Sequence, residues 1–141
     1  MAKKLTDFYR DKKGTVVVWG KDLEVRSLAW LINKADESKH KKLSYMLSNI
    51  LDLQQLFYEG SFISIKPFGK SKLEDVAMAY EVYLKTKLHS GKKAHYLLEH
   101  ASTNELDEKQ LANINRRIED YNNSDVINIK RILVKIMEQI K

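Results

Sequence analysis

The chain has 141 residues, of which 43% are hydrophobic, and a formal net charge of +6. Such a length is enough for one domain with a buried core, and only five glycines and one proline argue against a many-stranded β fold. The absence of cysteine excludes disulfides and thiolate metal sites. Neither a membrane-spanning run nor the apolar core of a secretory signal is seen, so we predict a cytoplasmic protein with no membrane association.

Positive charge is distributed unevenly along the chain. Residues 1–42 carry eleven Lys and Arg against six Asp and Glu, and residues 60–93 carry seven against three. Residues 43–59 contain two acidic residues and no Lys or Arg, and residues 94–141 carry seven basic against eight acidic residues. A basic surface attracts polyanions or acidic proteins, so this distribution favours partners of that kind.

The first half of the chain predicts two strands and two main helices. Residues 15–19 (TVVVW) contain three β-branched valines and are flanked by glycines, which favours a strand. Asp22 is suited to cap a helix that runs to about Lys34. Residues 61–65 (SFISI) favour a second strand, and we predict that it pairs with the first in a small ribbon.

Residues 43–58 (LSYMLSNILDLQQLFY) predict the central helix of the fold. Ten of these sixteen residues are Leu, Ile, Met, Phe or Tyr, so the apolar face is wider than a surface helix needs. The remaining polar strip contains Lys41, Ser44, Tyr45, Ser48, Asn49, Asp52 and Gln55.

The second half predicts helices only. A capping box at Ser71–Glu74 opens a helix to about Leu88, which Gly91 ends, and a shorter helix follows over 93–100. Two more helices are predicted on either side of a loop at 122–124 (NNS). The fold class is therefore mainly α: a compact domain over 1–141 of six or seven helices with one two-stranded β ribbon. Within this domain, a division into two subdomains also remains open, with the β ribbon in 1–69 and only helices in 70–141.

Motifs that would indicate catalysis are missing. The sequence has no Gly-rich phosphate loop, nucleophile elbow or HExxH motif, and its paired carboxylates fall at predicted helix starts or on predicted solvent faces. His95 and Glu99 are one helical turn apart, but no third metal ligand is evident. We predict a protein that is not an enzyme and has neither cofactor nor metal. Trp19 and Trp30 both lie in apolar runs, which predicts core positions.

The order of elements in the N-terminal half resembles that of a winged helix–turn–helix domain. The resemblance implies that the helix after the turn reads DNA through its polar strip, near its N-terminal half. Asp52 departs from that layout, because it places a negative charge on the strip. The segment 61–72 would form a basic wing.

These features predict a non-enzymatic nucleic-acid-binding protein, with double-stranded DNA as the expected ligand. The predicted contact residues are Lys12, Lys13, Arg26, Lys39, Lys41, Lys42, Ser44, Tyr45, Ser48, Asn49, Lys66, Lys70 and Lys72. An alternative is a small protein-interaction module, such as an inhibitor or adaptor from a phage or other mobile element, that docks a basic face on an acidic partner. Homodimerisation through the central helix or through 126–140 also remains open.

Overall fold

The computed structural model describes residues 14–58, 63, 72–86, 88 and 91–140. The chain divides into two compact units, Met1–Ser71 and Lys72–Lys141. The described ranges contain five α-helices, one 3₁₀ helix and a two-stranded sheet, so the protein is mainly helical, as predicted. The predicted count of six or seven helices and the winged-helix arrangement are not confirmed, and the predicted basic wing lies outside the described residues apart from Ile63 and Lys72.

The N-terminal unit is built from two helices between two short parallel strands. In chain order these are β1 (Val16–Val18), α1 (Asp22–Lys34), α2 (Glu37–Ser48) and β2 (Ile50–Asp52), followed by a 3₁₀ helix at Leu53–Phe57. The two strands pair in parallel, so the helix pair forms the crossover between them. The helix predicted to run to about Lys34 is confirmed, but Asp22 is its first residue and not its cap, since Lys21 occupies the N-cap position.

The core of this unit lies between the two helices. Leu28 and Leu31 of α1 pack with Leu43 and Met46 of α2, because each pair recurs at the three-residue spacing that places side chains on one helix face. Partly buried residues cover this cluster: Val16, Ile32, Ala35, Leu47 and Ile50.

The prediction of a single helix over 43–58 is wrong, because α2 ends at Ser48. The Ser48 hydroxyl donates to the Ser44 carbonyl at 3.0 Å, and the side-chain amide of Asn49 donates to the Tyr45 carbonyl at 2.8 Å. These two bonds satisfy backbone carbonyls in the last turn of the helix. Ile50–Asp52 then pair with β1 instead of continuing the helix. So short a stretch has no periodicity that separates strand from helix.

Asp52 is a structural residue, not a charge on an exposed strip. It is 9% exposed, and its Oδ1 accepts hydrogen bonds from the amides of Gly20 at 2.9 Å and Gln54 at 3.0 Å. Its Oδ2 accepts from the Lys21 amide at 3.2 Å. The carboxylate therefore joins the turn before α1 to the 3₁₀ helix.

Within the described residues β1 pairs with β2, a pairing that the sequence did not predict. The predicted partner over 61–65 lies outside the described residues except for Ile63. That residue is not part of a strand, and its amide donates to the Leu56 carbonyl at 3.0 Å.

The C-terminal unit contains α3 (Leu73–Ala79), α4 (Gly91–Thr103) and α5 (Glu108–Ile140). Helix α5 has 33 residues and is about 50 Å long at 1.5 Å per residue. Both shorter helices pack against it. None of the helices that the structure describes is long and apolar enough to span a bilayer. The core of the unit consists of Val76, Ala77, Leu88, Ala94, Ile132 and Ile136.

The helix predicted from Ser71 to about Leu88 is wrong beyond Ala79. Glu81 has a φ of 57°, in the left-handed region that ends a helix, and residues 82–86 then form neither helix nor strand. Helix α5 holds this segment: the Leu84 amide donates to Asn128 Oδ1 at 2.8 Å, and Arg131 donates to the Val82 carbonyl at 3.1 Å. Gly91 begins α4 and does not end a helix, which corrects its predicted role.

The loop predicted at 122–124 is absent, since α5 passes through these residues without a break. Asn122 and Asn123 are exposed, so their side chains bury no polar group. Ser124 is buried and donates its hydroxyl to the Tyr121 carbonyl at 2.7 Å. Residues that favour turns are tolerated inside a helix when solvent or the preceding turn satisfies them.

Candidate nucleic-acid interface

The predicted contact residues fall into three groups in the structure. Lys12, Lys13, Lys66 and Lys70 lie outside the described residues, and Lys72 belongs to the C-terminal unit. The other eight lie on or beside the helix pair of the N-terminal unit: Arg26, Lys39, Lys41, Lys42, Ser44, Tyr45, Ser48 and Asn49.

Helix α2 brings part of the predicted strip together. Lys41, Ser44, Tyr45 and Ser48 are exposed, and Ser44 and Tyr45 each lie three or four residues from both Lys41 and Ser48, so the four share one face. Lys39 and Lys42 are half-buried on another side. Lys39 also pairs with Asp36, and this hydrogen bond and charge hold the pKa of the Asp36 carboxyl below its ordinary value.

The polar strip lies at the wrong end of α2 for the predicted role. The helix begins at Glu37 and ends at Ser48, so Ser44 to Ser48 occupy its second half. The prediction that these residues lie near the N-terminal half of the helix is therefore wrong. The Ser48 and Asn49 donors bond to backbone carbonyls of Ser44 and Tyr45. A helix C-terminus carries partial negative charge, which disfavours phosphate there.

The outer face of α1 contains the feature that the sequence did not predict. Trp30 is 59% exposed, which contradicts its predicted core position. Arg26, Ser27 and Trp30 line a surface hollow of about 460 Å³, and Lys34 follows on the same stripe. Leu23, at the start of the stripe, is 69% exposed. An exposed Trp next to a cationic side chain is suited to stacking on a ring and to contact with an anion.

Trp19 differs from Trp30 in its surroundings. It is half-buried, and its ring stacks on Phe57 with centroids 5.4 Å apart and an interplanar angle of 30°. The periodicity of α1 contains the signal that separates the two tryptophans. Trp30 lies about 200° around the helix from Leu28, at 100° per residue, and therefore shares a stripe with Arg26 instead of the core.

Charge in the described part of the N-terminal unit is close to balanced. Residues 14–58 hold six Lys and Arg against five Asp and Glu. The first turn of α1 is acidic, with Asp22 and Glu24, while Arg26 and Lys34 follow further along. This order complements the helix dipole and gives the Trp30 end of the stripe a positive character.

Comparison with other proteins gives no assignment. The chain matches no known protein family, no curated protein and no solved structure at a significant level. In the ranges that the structure describes, no three His, Asp or Glu side chains are arranged to hold a metal ion.

Proposed function

We propose that the protein binds nucleic acid through the outer face of α1, with Trp30 stacking on an unpaired base and Arg26 and Lys34 contacting phosphates. The observation that supports this proposal is the 59% exposure of Trp30 on the same stripe as two cationic residues. The net charge of +6 adds a general attraction for polyanions.

The spacing along α1 suits a ligand that follows the helix axis. Arg26, Trp30 and Lys34 are four residues apart, so each step rises about 6 Å along one stripe. Stacking of a base on an aromatic side chain contributes about 1–3 kcal/mol and requires no particular base. A neighbouring guanidinium can contact phosphate or stack on the ligand, so Arg26 and Trp30 act on adjacent parts of one strand.

This proposal favours single strands over the double-stranded DNA predicted from the element order. Stacking on Trp30 needs an unpaired base, whereas groove reading by α2 needs free donors at Ser48 and Asn49, which bond to their own helix. Lys41 remains an exposed cation on α2. Contacts from Lys12, Lys13, Lys66 and Lys70 remain predictions.

The test is a titration of a fluorescently labelled single-stranded oligonucleotide, followed by anisotropy between ~50 and ~200 mM salt. We expect Trp30→Ala to weaken binding about tenfold to a hundredfold, because one stacked base is lost. Tyr96→Ala is the matched control: Tyr96 is 65% exposed in the C-terminal unit, so its loss should leave affinity unchanged. Equal losses in the two variants, or tighter binding of a duplex of the same sequence, would contradict the proposal.

A second candidate is docking on a protein partner through the same face. Leu23 and Trp30 are 69% and 59% exposed on one stripe with Arg26, and Trp and Arg are enriched among residues that dominate protein interfaces. Affinity purification after nuclease treatment distinguishes the two candidates. If the wild-type protein retains one defined protein partner after nuclease treatment and the Trp30→Ala variant does not, docking on a protein is favoured. If nuclease treatment removes every partner of the wild-type protein, nucleic-acid binding is favoured.

A further inference from the structure

A cleft of about 880 Å³ opens along α5 in the C-terminal unit. Leu84, Lys85, Thr86 and Leu88 line one wall, and the other wall is the stretch of α5 from Asn113 to Ile127. The hydrogen bond between the Leu84 amide and Asn128 Oδ1 attaches the first of these walls to α5, which forms the second. Small-molecule sites in proteins commonly have volumes of about 300–1,000 Å³.

Three cationic side chains and one acidic side chain line this cleft. Lys85 and Arg116 are exposed, Arg117 is half-buried, and Asp120 lies on the same stretch of α5. Within the described ranges none of the three cations forms an ion pair, since the pairs found there are Lys39–Asp36 and Lys135–Glu138. The excess positive charge is therefore available to an anion.

The remaining lining residues identify the kind of anion. Asn113 and Asn123 add two amides, which can bond to phosphate or to hydroxyl groups of a ligand. The Thr86 hydroxyl donates to the Leu88 carbonyl at 2.6 Å, so it offers a ligand only its acceptor lone pairs. Leu84 and Ile127 form an apolar wall, so the cleft can also cover an uncharged ring or chain. Guanidinium groups match phosphate geometry with paired hydrogen bonds.

We propose that this cleft binds a small organic phosphate of nucleotide size. The di- or triphosphate group contacts Lys85, Arg116 and Arg117, and the organic part lies against Leu84 and Ile127. The site is in the C-terminal unit and uses none of the α1 residues, so it is independent of the proposed function.

Calorimetric titrations with ATP, inorganic pyrophosphate and adenosine test the proposal on the full chain. We expect saturable binding of ATP with a Kd below ~1 mM, weaker binding of pyrophosphate, and at least about tenfold weaker binding of adenosine. Arg116→Gln and Lys85→Gln remove exposed charges, so the fold should be retained, and each should weaken ATP binding about tenfold or more. Asp120→Asn should strengthen it, because a negative charge beside the phosphates is removed.

Lys130→Gln is the matched control, because it removes one exposed charge from α5 outside the cleft. Its ATP affinity should equal that of the wild type. An equal loss in Lys130→Gln and Arg116→Gln would mean that net charge alone attracts ATP and would overturn the proposal. Equal affinities for ATP and adenosine, or no binding of ATP or pyrophosphate at ~1 mM, would overturn it as well. The proposal would also be overturned if Arg116→Gln weakened binding of a single-stranded oligonucleotide but left the affinity for ATP unchanged.

Discussion

Asn128 gives the sharpest test of how the C-terminal unit is held together. It is 1% exposed, and its Oδ1 accepts the Leu84 amide proton at 2.8 Å, which attaches the segment 82–86 to α5. Asn128→Ala leaves the Leu84 amide without that partner, at a cost of about 1–3 kcal/mol. The space left by the missing amide group costs about 1 kcal/mol more. The higher helix propensity of Ala returns about 0.5 kcal/mol, so we expect a net loss of about 1.5–3.5 kcal/mol in the free energy of unfolding.

The assay is urea denaturation followed by far-ultraviolet circular dichroism, with slopes compared between variants. Asn122→Ala is the matched control, because Asn122 is exposed in the same helix. In a continuous helix this change should stabilise the protein by about 0.5 kcal/mol, since Ala favours the helix more than Asn. A loss below ~0.5 kcal/mol for Asn128→Ala would refute the structural role of its hydrogen bond. Destabilisation by Asn122→Ala would indicate a loop at 122–124.

Two further predictions concern other parts of the fold. Gly20 has a φ of 77°, so Gly20→Ala should destabilise the N-terminal unit by about 1–2 kcal/mol in the same urea assay, and wild-type stability would contradict that backbone geometry. Burial raises the pKa of the Asp125 carboxyl; a hydrogen bond with Tyr121 opposes the shift, and the charge of Glu74 adds to it. Because the folded-state pKa lies above the unfolded value, this contribution to stability is present below about pH 4 and is lost as pH rises through the folded-state pKa. Asp125→Asn should therefore show a flatter decline in stability from about pH 4 upward than the wild type, whereas parallel curves would exclude Asp125 as the cause.

The sequence predicted the parts of the fold that depend on strong periodicity. Helix α1 extends over the predicted residues because its apolar positions recur at helical spacing and Asp22 begins it. The strand around Val16–Val18 also follows from its β-branched residues. Where tertiary contacts decide the structure, the pattern is insufficient: β2 is a strand because β1 pairs with it, and residues 82–86 leave the predicted helix and bond to α5.

The candidate site was predicted less well, for a related reason. The sequence indicates which segments are basic but not which side chains share a surface. It therefore predicts Arg26 as a contact residue without its neighbour Trp30. The two residues are four apart on α1, and the buried side of that helix is defined by Leu28 and Leu31. Assigning the core first would have placed Trp30 outside. The cleft along α5 was missed because residues 94–141 are nearly neutral in total, although Arg116 and Arg117 both line one cavity.

The emission of Trp30 during nucleic-acid binding tests the central claim most directly. The chain has two tryptophans, so Trp19→Phe leaves Trp30 as the single indole, and Phe can preserve the stacking on Phe57. We predict that a single-stranded oligonucleotide quenches Trp30 emission with the same midpoint as the anisotropy titration, since the indole stacks on a base. Binding by anisotropy with unchanged Trp30 emission, or no binding at low salt, would contradict the assignment of the α1 face as the nucleic-acid interface.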